Sequence, residues 1–177
     1  MDRIIAISVV AVIVAISAAV TDVRERRIPN KLTYNAAILG VLLQAILFGW
    51  KGLLSGALGG VIFGGVFLLF FIVHAMGAGD VKLAMALGCV VGASASVKLM
   101  FATTVAGGIL AVIYMVRAKR VAKTLRNTLD ILAFHARLGL QSHPTVNLDN
   151  PDAVRMPYGL AFAAGAFLWS IPVFWWR

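Results

Sequence analysis

Cysteine is nearly absent from this chain: Cys89 is the only one in 177 residues. No disulfide framework and no four-cysteine zinc site can be built within one copy. A lone cysteine in an apolar run reads as a small buried hydrophobe. Charge is also scarce: Asp, Glu, Lys and Arg make up 13% of the sequence against 61% hydrophobic residues, and mean hydropathy is +0.94. Soluble domains carry about a quarter charged residues, so a water-soluble globule is excluded. Acids are the rarer sign, seven against sixteen Lys and Arg, for a net charge of +9. Membrane proteins gather Lys and Arg in cytoplasmic loops and become basic for that reason alone. No nucleic-acid partner is therefore expected.

What the chain has instead is long apolar runs, several near or above the ~18 residues that cross a bilayer. Six spans can be drawn, at 4–20, 32–48, 53–73, 81–95, 97–116 and 158–176. The expected fold is an all-α integral membrane protein: a bundle of six transmembrane helices forming one membrane-embedded domain over 1–177. The first run ends in small residues, as a signal peptide does. Its positive cluster, "RERRIPNK", follows the run rather than preceding it, so it is expected to be a first span. Twelve Lys and Arg fall in the loops after spans one, three and five, and four on the other side. That asymmetry puts those loops in the cytoplasm and both termini outside.

Two features of the runs point to packing and to lipid. Glycines 52, 56, 60 and 64 recur every four residues and share one helix face. Such a stripe lets helices approach closely. Between spans five and six, at about 117–157, lies the only sizeable polar segment. In its first part Val121, Leu125, Leu129, Leu132 and Ala136 keep helical spacing beside Lys119, Arg120, Lys123 and Arg126. A basic amphipathic helix on anionic lipid headgroups at the cytoplasmic face is expected there, with docking to a partner as the alternative. The "SHPTVNLDNPD" that follows has turn chemistry and reads as a loop.

Of the seven acids, only Asp22 and Asp80 lie where an apolar run meets the cytoplasmic boundary. Singly, each has a bland explanation: Asp80 as the N-cap of span four, Asp22 as a rim partner of Arg24 and Arg26. Carboxylates placed beside apolar spans more often face a bundle interior and mark a functional path. The two are 58 residues apart, yet the topology sets them at one depth. Two neighbouring carboxylates do not both ionise cheaply, so they share a proton. One can then activate water while the other polarises a peptide carbonyl. No metal and no cofactor is required. Helix dipoles add an asymmetry: Asp80 at a helix start is expected to be the ionised member, and Asp22 at a helix end to carry the proton.

The motifs around these acids resemble a known family. "GAGDVKL" matches the GxGD signature of membrane-embedded aspartyl peptidases. "TDVRERRIPN" is similar to the first-aspartate motif of type IV prepilin peptidases, and "MPYGLAFAAGA" to the motif opening their last helix. The resemblance implies a catalytic pair at Asp22 and Asp80. It also implies a peptidase-only form similar to those of tight-adherence (Flp-type) pilus systems, with no methyltransferase activity. The substrate would be a prepilin or pseudopilin with a basic leader and a hydrophobic helix. It would be cut after a glycine at the cytoplasmic side of the bacterial inner membrane.

Roles for the other motif residues follow. Gly77 and Gly79 are expected to adopt backbone conformations closed to other residues and to let an extended substrate approach. Lys82, two residues past Asp80 on a helix, points away from it and suits anchoring or substrate contact. Pro29 and Asn30 break the chain before span two. Pro157 opens span six, with Tyr158 and Gly159 bordering the site, and His74, a lone histidine at a span end, is expected to be structural rather than a base. Rival functions are a proton-coupled transporter or channel subunit, whose acids would lie near the midplane, and a non-catalytic pilus-assembly membrane protein.

Overall fold

The computed structural model describes residues 2–119, 121–139 and 156–175, and among these every regular element is helical. The helices are α1 (Asp2–Glu25), α2 (Asn30–Ile72), α3 (Ala78–Val91), α4 (Ala93–Arg117), α5 (Val121–Leu138) and α6 (Gly159–Trp175). Helices α1, α2 and α4 are long and apolar enough to cross a membrane; the apolar stretch Gly159–Pro172 of α6 is shorter. The expected loop at 142–152 lies outside the described residues.

A straight helix of 43 residues would be about 65 Å long, twice the ~30 Å core of a bilayer. The chain avoids this by reversing at Gly49, whose φ of 64° and ψ of −148° are non-helical. The contacts prove the reversal: a Cβ on Gly56 would sit 3.3 Å from the Cα of Val41, a residue fifteen positions earlier. So α2 is two antiparallel arms, 30–48 and 50–72, matching spans two and three. A single left-handed residue replaces the longer connection expected at 49–52.

The two arms clasp α3. Gly40 of the first arm meets the backbone of Val90, and Gly60 and Gly64 of the second meet Cys89 and Met85. At the tightest point Gly59 and Gly88 touch backbone to backbone. The glycine stripe is thus a packing seam, as its spacing suggests.

The break between the fourth and fifth apolar segments falls at Gly92, not near residue 96. Gly92 has φ 80°, a left-handed value that favours glycine. Both helix ends opened by the break find partners, as buried ends must. Gln44 donates its Nε2–H to the Val90 carbonyl at 2.8 Å, and the Ala93 N–H donates to Ser55 Oγ at 3.1 Å. Gln44, the lone amide in "LLQAIL", is 3% exposed and ties the α2 hairpin to the end of α3.

Helix directions follow from pairings on α6. Gly107 and Thr103 of α4 lie against Ala161 and Gly165 of α6, and Ala19 and Asp22 of α1 lie against Gly159. Hence α1 and α4 run toward the end of the bundle where α3 and α6 begin. The core between them holds Leu83, Leu87 and Leu99. It also holds a ring cluster in which Phe67 meets Phe63 edge-on at 5.2 Å and Phe162 at 5.4 Å.

Helix α5 is the outlier. It forms where the amphipathic pattern begins, but packs only lightly on α4. Its apolar residues Val121, Leu125 and Leu129 remain exposed.

Candidate active site

Three segments far apart in sequence meet at one end of the bundle: the end of α1, the turn into α3 and the turn into α6. Asp22 sits in the last turn of α1 and is 8% exposed. Its Oδ2 accepts a hydrogen bond from the Gly159 N–H at 2.7 Å, across 137 residues of chain. Gly159 leaves the room for it: a Cβ there would lie 2.9 Å from Ala19 Cα and 3.0 Å from Asp22 Cβ. Pro157 shapes the approach, its carbonyl accepting from the Leu160 N–H at 3.2 Å.

Asp80 is held differently. It is the third residue of α3, whose N-cap is Gly77, so it is not itself the N-cap. Its Oδ2 accepts from the Gly77 N–H at 3.2 Å, closing the α3 start by the carboxylate half of a capping box. Asp80 is partly exposed and lies within electrostatic range of both Asp22 and Tyr158. The turn opening α6 therefore reaches both acids, through Gly159 to Asp22 and through Tyr158 toward Asp80.

Two expectations change. Gly77 has φ −76° and ψ 151°, open to any residue, and Gly79 lies within helical α3. Neither needs a backbone conformation reserved for glycine. Their value is the missing side chain: a Cβ on Gly79 would be 3.3 Å from the Cβ of Ile28, so the α1–α2 connection docks directly on α3. The dipole picture also gains a second contribution at Asp22, opposed to that of the α1 C-terminus. The N–H that reaches Asp22 belongs to the first turn of α6, so helix N-terminal N–H groups face both carboxyls.

Pro29 behaves as its position suggests, with φ −65° and ψ 135° before α2. Lys82 is not directed at the acids: its Nζ donates to Asn30 Oδ1 at 2.8 Å and stands 5.4 Å from the Tyr34 ring centroid. His74, with φ 56°, is an exposed turn residue. Sequence reasoning missed Ile28 and Tyr34. Ile28 had a signal, as a lone apolar residue inside a basic stretch, and at 6% exposure it is buried. Tyr34 had none. Among the described residues no three His, Cys, Asp or Glu side chains gather at metal-binding spacing.

Fold and site together define a class: an apolar helical protein carrying a pair of carboxylates from distant segments at one end of its bundle. The comparisons narrow it. Residues 9–112 match the model of the type IV leader peptidase family, and the chain belongs to that family. It is accordingly a peptidase. The match contains Asp22 and Asp80 and stops before the Pro157–Gly159 turn. No curated protein and no solved structure matches the chain.

Proposed function

We propose that this chain is a multi-pass aspartyl endopeptidase of the bacterial inner membrane. It removes the basic leader from a prepilin or pseudopilin at the cytoplasmic face. The observation that carries this reading is the convergence of Asp22 and Asp80 at one end of the bundle, in a chain of the type IV leader peptidase family. Two acids sharing one proton supply both halves of amide hydrolysis. The ionised one takes a proton from water as it attacks, and the protonated one polarises the carbonyl and then protonates the leaving amine.

The rest of the chain serves that chemistry as one domain, with all six apolar segments crossing the membrane and both termini outside. The basic cluster after α1 and the basic stretch after α4 then lie on the cytoplasmic side. Helix α5 rests its exposed apolar face on the bilayer, its Arg126 and Arg137 among anionic headgroups. Tyr158 and Gly159 border the scissile peptide, and Gly77 and Ala78 put no bulky side chain between an extended segment and Asp80.

Co-expression with a prepilin tests the proposal. Leader removal should appear as a downward gel shift with the parent chain and vanish with Asp22→Asn or Asp80→Asn. Undiminished processing by the doubly substituted chain would end the peptidase assignment to this pair.

A further inference from the structure

We propose that Lys82 is a positioning residue: with Asn30 it forms a latch that holds the first turn of α3, and so Asp80, against the start of α2. The inference rests on the peptidase reading for its consequence but not for its geometry. The first turn of α3 is Ala78-Gly79-Asp80, capped by Gly77. Apart from Asp80 it has no side chain long enough to grip a neighbour. Asp80 bonds within its own turn, to the Gly77 N–H, so it ties that turn to nothing else.

Two contacts supply the missing tie, one to the α1–α2 connection and one to the start of α2. Ile28, buried, lies against Gly79. Lys82 reaches Asn30 Oδ1 at 2.8 Å, with the Tyr34 ring, one turn further along α2, facing its ammonium group. Residues two apart on a helix point to roughly opposite sides. Asp80 can therefore face Asp22 and Tyr158 while Lys82, at the start of the next turn, anchors the helix from behind. The partner is a neutral amide, so the cation is fixed without drawing either carboxylate into an ion pair. Pro29 presets the backbone at the α2 start, which makes Asn30 a rigid post.

The test uses the full chain in lipid nanodiscs with a purified prepilin. Lys82→Met and Asn30→Leu should each lower kcat about tenfold with KM nearly unchanged, and the double variant should be no slower than the slower single, as for two halves of one contact. Asn30→Asp, which keeps an oxygen acceptor, should retain most of the rate. A raised KM with additive effects would overturn the latch in favour of substrate contact by Lys82. A second arm is independent of cleavage: spin labels at Lys31→Cys and Ala78→Cys, in a Cys89→Ala background, report the spacing of the two helix starts. Their distance distribution should broaden in Lys82→Met and in Asn30→Leu. An unchanged distribution, or a broadened one with intact kcat, also overturns the proposal. If the parent chain cuts no prepilin, the peptidase reading falls, while the label distances still decide the latch.

Discussion

Asp22 and Asp80 are the same residue type at the same end of the bundle, yet they are held by opposite means. Asp22 is buried, and its carboxyl partner is an amide 137 residues away. Asp80 is partly exposed, and its partner is an amide three residues away. One acid is placed by tertiary structure, the other by its own helix turn. Side chains at a chemical site keep their geometry only when their supports are rigid. The two halves of the pair should therefore fail in different ways.

The largest effect expected breaks the comparison by removing what the acids share. Asp22→Asn and Asp80→Asn should each reduce leader removal by about 10²–10⁴-fold, the usual scale for a lost general acid or base. Turnover by the double variant should fall no further, because a pair acting as a unit is lost with its first member. A double variant slower than either single by a further large factor would show that the acids act separately.

A smaller effect sharpens the comparison. Gly159→Ala places a methyl 2.9 Å from the α1 backbone and 3.0 Å from Asp22 Cβ. Overpacking of this kind costs about 1–3 kcal/mol, and here it displaces one acid, so turnover should drop about tenfold or more. Gly77→Ala should act far more weakly. Its backbone angles suit alanine and its new methyl meets only Asp80 Oδ2, at 3.2 Å. Equal losses in these two variants, measured as kcat on one prepilin, would erase the distinction between a tertiary and a local support. The smallest effect is the control: Gly65 has nothing within 4 Å of an added Cβ. Gly65→Ala should leave turnover unchanged and thermal stability in detergent unchanged or slightly raised, since alanine is the better helix former.

Legibility in the sequence followed the range of the interaction. The apolar run of α1, the reversal between the arms of α2 and the amphipathic start of α5 are local patterns, and each is where its pattern puts it. The glycine stripe at 52, 56, 60 and 64 announced a close approach, though not that Gly52 would face the other arm of α2, Gly60 and Gly64 would face α3, and Gly56 would face both. The break at Gly92 was misplaced because the apolar run continues through it; only φ 80° and the bonds from Gln44 and to Ser55 mark the boundary. The destination of Lys82 was equally hidden. Its spacing from Asp80 said only where it does not point.

By itself the sequence determined that this is an apolar helical chain, with two acids at the ends of their segments and motifs shared with leader peptidases. Those properties depend on residue type and spacing along a few turns, and the chain carries them in any arrangement of its helices. Only tertiary structure decided which groups hold the acids: the α6 amide on Asp22, Ile28 under Gly79, Asn30 on Lys82. Each joins segments dozens of residues apart, and their meeting is set by how glycine-lined helices pack rather than by any pattern along the chain.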